Sequence, residues 1–160
     1  MKKSYPAILI VSAGVLGLAS LVAHPFGEVK KTIPGKPLLA GAAVDPAVMQ
    51  IVERSCQGCH SDKTEWPWYS YVAPMSWLIE KDVNQARSHM NLSHWDEYNS
   101  EHQQEILAKL SAVVRSRQMP LPRYTMLHSD AKLSDSEIDL LYRWARAERS
   151  RLKLSAGGGH

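Results

Sequence analysis

Cys56 and Cys59 are the only two cysteines in a chain of 160 residues, and His60 follows the second at once. Two thiols at this spacing with an imidazole next in line can do three kinds of chemistry. The run Cys56-Gln57-Gly58-Cys59-His60 is the C-x-x-C-H pattern of c-type haem attachment. In that reading each thiol reaches one porphyrin vinyl group and forms a thioether, while His60 swings beneath the ring to bind iron as its proximal ligand. Gly58 lets the backbone pass close to the macrocycle. The same pair could close a structural disulfide or act as a thioredoxin-like dithiol, although a dithiol usually sits in a βαβ setting. A zinc site needs four ligands, and the scattered histidines supply no second paired cluster.

An iron held by His60 has a second face to fill. Met119 stands 59 residues further on, in the proline-bracketed step Met119-Pro120-Leu121-Pro122, where a rigid loop could present a thioether. The bland reading is that Met119 only fills the core, as methionine readily does. The rival ligand is His128 of the same loop, and imidazole in place of thioether would lower the reduction potential. Trp66 and Tyr69, in the aromatic segment after His60, could pack on the haem edge and donate to its propionates. Arg123, beside the Met-Pro step, could pair with a propionate as a planar donor.

Four amphipathic helical patterns must position these groups, and no alternating strand pattern or internal repeat competes with them. The expected fold class is all-α, a cytochrome-c-like bundle of about four helices around one covalent haem. The first helix opens at Asp45-Pro46 and places Val48, Ile51, Val52 and Ser55 on one face before running into Cys56. A second starts near Pro74 and carries Ile79, Val83, Ala86 and Met90 at helical spacing. Ser100 with Gln103 resembles a capping box for a third, whose stripe is Ile106, Leu110, Val113 and Val114. Ser134 with Glu137 repeats the signal for a fourth, with Ile138, Leu141, Tyr142 and Ala145 facing inward. Between the last two, residues 117–132 cannot be one continuous helix, because proline lacks the donor and clashes with the preceding turn.

The ends read differently. Lys2 and Lys3 precede an uncharged, mostly apolar run from Ala7 to Ala23, so residues 1–23 are expected to be a signal peptide or a membrane anchor, and the rest to be periplasmic or otherwise extracytoplasmic. Residues 24–44 hold Pro25, Pro34 and Pro37 without sustained periodicity and read as a linker that would span on the order of 25 Å. The haem-binding domain is expected over 45–153 and a frayed tail over 154–160. From His24 onward 17 basic side chains face 16 acidic ones, a balance that argues against a nucleic-acid binder. Arg143, Arg146, Arg149, Arg151 and Lys153 read first as a solvated helix face, and second as a surface for an acidic redox partner or anionic lipid.

From about Asp45 to Glu148 the chain resembles the haem-binding domain family of exported bacterial proteins with one C-x-x-C-H site. The resemblance rests on Cys56-Gln57-Gly58-Cys59-His60-Ser61-Asp62, Trp66-Pro67-Trp68-Tyr69-Ser70 and Pro74-Met75-Ser76-Trp77-Leu78, and continues through Asn91-Leu92-Ser93-His94-Trp95, Met119-Pro120-Leu121-Pro122 and Leu127-His128 to Trp144-Ala145. The family often has glycine at Ala86 and a second proline at Leu121. The resemblance implies a cytochrome-c-like helical domain, a covalent haem c and electron transfer with exported or membrane redox proteins. On this basis the expectation is a mono-haem electron carrier with no substrate chemistry of its own. The alternatives are a haem-based sensor and a peroxidase-like enzyme, both needing an open distal site.

Overall fold

The computed structural model describes residues 5–22 and 36–157. The described residues form helices and no strand, as the four apolar stripes require. Helix α1, Tyr5–Val22, has 18 residues and no charged side chain. At 1.5 Å per residue it is about 27 Å long. Among the described residues, no helix is long and apolar enough to cross a membrane.

The bundle begins with α2, Pro46–Ser55, which buries Val48, Ile51, Val52 and Ser55 as its spacing dictates, with Asp45 at its N-cap and Pro46 in the first turn. A one-turn helix α3, Gln57–His60, follows directly. Helix α4, Met75–His89, buries Val83 and Ala86, while Met90, just past its end, is buried at its C-cap. Helix α5, Ser100–Arg115, buries Ile106, Leu107 and Val114. Its cap lies one residue before the expected one: the Asn99 side chain accepts from the His102 amide at 2.8 Å, and Gln103 donates instead to the Trp95 carbonyl at 2.8 Å. Asparagine and serine cap equally well, so the choice between neighbours lay with tertiary contacts.

Residues 117–132 are an ordered turn containing helix α6, Pro122–Leu127, with Pro122 at its start, where a missing N–H costs nothing. Helix α7, Asp135–Gly157, closes the bundle. Its capping box forms as read: Ser134 N–H donates to Glu137 Oε2 at 2.8 Å, and the Glu137 amide reaches Ser134 Oγ at 3.3 Å. Its inward residues include Ile138, Leu141 and Ala145 but also Trp144 and Leu152. Tyr142 does not face inward, since its ring lies beneath the guanidinium of Arg115 at 4.4 Å and that of Arg146 at 5.6 Å. Of the tail expected over 154–160, residues 154–157 belong to α7, and 158–160 lie outside the described residues.

The core joins α2, α5 and α7 with Met90, Leu92 and Trp95 from the segment between α4 and α5. It also takes in Leu38 and Leu39, which are 6% and 3% exposed. Leu38 and Leu39, inside the linker expected over 24–44, therefore belong to the core, while 24–35 lie outside the described residues. Trp144 Nε1 donates to the Ala43 carbonyl at 2.8 Å, Arg151 to the Gly41 carbonyl at 3.2 Å, and the Leu39 amide to the Leu92 carbonyl at 2.9 Å. Two leucines in a row show no period, so only contacts distant in sequence reveal that this segment belongs to the domain. Leu39→Ala should cost about 2–4 kcal/mol, read as a fall in the thermal midpoint; an unchanged midpoint would return this segment to the status of a linker.

Candidate functional site

The cysteine motif is a single helical turn. Cys56 caps α2, its amide donating to the Val52 carbonyl, and its carbonyl then receives the amides of Cys59 at 3.2 Å and His60 at 3.0 Å. One turn brings Cys56, Cys59 and His60 to the wall of one cavity. His60 Nδ1 lies 3.1 Å from the Met90 carbonyl. A carbonyl can only accept, so Nδ1 carries the proton and Nε2 keeps its lone pair. Burial lowers the proton affinity of this imidazole, against the opposing backbone bonds to Met90 and Ala86. His60 is thus presented as a neutral, oriented nitrogen base, the form in which histidine ligates metals.

The loop after the motif is tied down on both sides. Ser61 Oγ donates to the Gln57 carbonyl at 2.8 Å and Thr64 Oγ1 to the Gly58 carbonyl at 2.7 Å, while Arg87 of α4 reaches the Ser61 carbonyl at 3.0 Å and Thr64 Oγ1 at 2.9 Å. Asp62 receives Asn91 Nδ2 at 2.9 Å and lies 2.7 Å from His94 Nε2. The other nitrogen of His94 is 2.9 Å from Glu97. The bonds to Glu97 and then Asp62 raise the His94 pKa, because both favour the imidazolium. The motif is therefore fastened to the segment that supplies the Met90 carbonyl.

Met119 is placed by the end of α5. Arg117, at a φ of 57°, takes the left-handed conformation just past the C-cap Ser116. Its amide returns to the Val114 carbonyl at 3.0 Å and that of Gln118 to the Val113 carbonyl at 2.9 Å, the two bonds of a Schellman stop. Arg117 also pairs with Asp135 at the start of α7. The chain then turns Met119 toward the motif, with the Met119 amide held at Val113 and the Met119–Pro120 peptide cis.

Two cavities meet around these groups. One, of about 350 Å³, is lined by Cys56, Cys59, His60, Met119 and residues of α4 and α6. The other, of about 360 Å³, shares Cys56, His60 and Met119 and is otherwise walled mainly by Ile106, Leu110, Val113 and Leu133. Leu110 and Val113 are only half-buried, although the stripe of α5 points them inward, because they face this space. Ser55 Oγ is buried on the shared wall with no hydrogen-bond partner.

The model of the haem-binding domain family matches residues 15–147, most of the chain. The chain belongs to the haem-binding domain family. A stretch of 106 residues, 64% of this chain, is 29% identical to the cytochrome c peroxidase Ccp of Escherichia coli (strain K12). That stretch covers 23% of the relative, so the chain spans less than a quarter of its length. No solved structure matches. The cavities fit what the family binds. The wall of the second is largely aliphatic, an imidazole oriented through its Nδ1 lines both, and the orphaned Ser55 hydroxyl marks a wall built for contact with something more than protein.

Other residues expected at the site are placed less simply. Arg123 lines the first cavity, but it grips Asp82 with two bonds, at 3.0 and 2.6 Å. Tyr69 lines a third, smaller cavity of about 130 Å³ beyond Cys59 and touches neither of the other two. Trp66 lines none of the three, and its buried Nε1 has no partner. His128 also faces the third cavity, stacked on Tyr124 at 4.2 Å. Its Nδ1 faces the Tyr124 carbonyl at 3.2 Å, leaving Nε2 to accept from the Tyr69 hydroxyl at 3.1 Å. At Gly58 a Cβ would meet the Tyr124 hydroxyl at 3.1 Å. Sequence reasoning missed Lys109, which lines the second cavity and has only helical spacing to signal it, while His89 lines both. Burial pushes the Cys56 thiol up to about 12 and the Cys59 thiol up to about 11. This is opposite to the lowered pKa of reactive dithiols.

Gly58→Ala should destabilise the domain by ~1 kcal/mol through displacement of Tyr124, measured by thermal unfolding; a neutral result would mean that Tyr124 yields freely. His94 sets the pH response. Its folded pKa is raised, so its contribution is complete below the unfolded value near pH 6.5 and is lost as pH rises through the folded value. The gap in thermal midpoint between the parent and His94→Gln should therefore shrink from pH 5 to pH 8, roughly, and a gap independent of pH would refute the assignment.

Proposed function

We propose that this chain is a mono-haem c-type cytochrome that carries single electrons outside the cytoplasm, with thioethers at Cys56 and Cys59, His60 as proximal ligand and Met119 as distal ligand. The observation that carries the reading is that His60 and Met119 line the same two cavities together with Cys56, whereas His128 faces elsewhere and has both ring nitrogens engaged. Bound there, haem supplies the one-electron ferric and ferrous couple. The protein's part is positional. The Met90 carbonyl orients His60 and raises its basicity through the Nδ1 proton. The Schellman stop holds the Met119 thioether in place, and methionine ligation raises the potential. Leu110, Val113 and Leu133 exclude water from the wall.

Export is supported by Lys2 and Lys3 ahead of the apolar run that α1 spans, and exported or membrane redox proteins are the partners this implies. The similarity to a protein named cytochrome c peroxidase favours one second reading, a peroxidase-like enzyme, which requires Met119 to leave the distal side open.

The test is the absorption spectrum of ferric protein produced with cytochrome c maturation machinery and washed under denaturing conditions. Haem should be retained and a near-infrared methionine-to-iron band seen, lost in Met119→Ala and kept in His128→Phe. Haem removed by the wash would sink the cytochrome reading. A band that survives in Met119→Ala would sink the distal assignment, and tight carbon monoxide binding with rapid peroxide turnover by the parent would move the reading to the enzyme.

A further inference from the structure

We propose that Lys109 is the cationic partner of a haem propionate, an inference that rests on the covalent attachment proposed above. A porphyrin carries its vinyl groups and its propionates on opposite edges. A ring tethered through vinyls at Cys56 and Cys59 therefore sends its carboxylates to the far side of the space those cysteines border. Of these two cavities Cys59 lines the first and not the second, and Lys109 the second and not the first, so Lys109 belongs to the side away from the second tether. Besides the thiols and His60, the titratable groups on the two walls are Asp82, His89, Lys109, Arg123 and Tyr124. Arg123 is committed to Asp82 by two bonds. His89 lines both cavities together with His60, which puts it beside the proximal ligand. Tyr124 is a raised, un-ionised phenol.

Lys109 is what remains. It is exposed and has neither ion pair nor hydrogen bond among the described residues. Its place on α5 is one turn before Val113 and within one turn of Ile106 and Leu110, three aliphatic residues of the same cavity wall. A lysine stem can lie along such apolar surface and keep its ammonium at the rim. A carboxylate leaving an apolar cavity requires a cation or water at its exit, and the second cavity offers no other residue with a fixed positive charge.

The experiment measures the reduction potential of the holoprotein across pH for the parent, Lys109→Met and Lys109→Arg. Removing a positive charge near the ring disfavours the reduced state. In Lys109→Met the ratio of reduced to oxidised protein at a fixed potential near neutral pH should fall by roughly fivefold. The pH step from propionate ionisation should move to higher pH, and Lys109→Arg should restore both. Lys109→Gln carries the same expectation should the methionine variant fail to mature. Holoprotein variants with parental potential and an unmoved pH step would overturn the inference while leaving the cytochrome reading intact. Failure of the parent chain to retain haem after a denaturing wash would remove both.

Discussion

The bond from His60 Nδ1 to the Met90 carbonyl is the constraint on which the rest of the site depends. It fixes which imidazole nitrogen keeps a lone pair, and it does so by joining the cysteine turn to the end of α4, parts of the chain 30 residues apart. Neither part could hold that geometry alone. A four-residue helix has little stability of its own, and α3 is held because Thr64, Ser61 and Arg87 satisfy its surroundings and Asp62 is bound to Asn91 and His94. Met90 in turn is buried in the core beside Leu92 and Trp95. The orientation of one ring is thus underwritten by the packing of α2, α5 and α7.

On the other side of the space, control is looser. Met119 is half-buried and owes its position to a helix terminus. The two walls differ in kind, polar bonding behind His60 and backbone geometry behind Met119. This division lets His60 stay rigid while Met119 takes its place from how α5 ends.

Much of this was legible in the residues. Val48, Ile51, Val52 and Ser55 declared the buried face of α2, and Ser134 with Glu137 declared the start of α7, because helical period and capping chemistry act within a few residues. What failed depended on distant contacts. Leu38 and Leu39 looked like linker, yet both are buried in the core, and the bonds Leu39–Leu92, Gly41–Arg151 and Ala43–Trp144 tie their segment to the domain. Tyr142 looked inward by period, yet two arginines hold it at the surface. Arg123 looked free beside the Met-Pro step until α4 supplied Asp82. Gly58 was read for its lack of side chain, but not for Tyr124, which is 66 residues away in sequence and a few ångströms away in space.

The Schellman stop at Arg117 has a consequence for how sequences of this kind can change length. Because Met119 is counted from the last turn of α5, one residue inserted within that helix would swing everything beyond it by about 100° and carry the thioether off the cavity wall. One residue added after α6, at the exposed Ser129 and Asp130, would leave Met119 where it stands. Insertions and deletions should therefore be purged from the stretch between Asn99 and Pro120 and tolerated at Ser129 and Asp130, a pattern of gaps set by one left-handed residue.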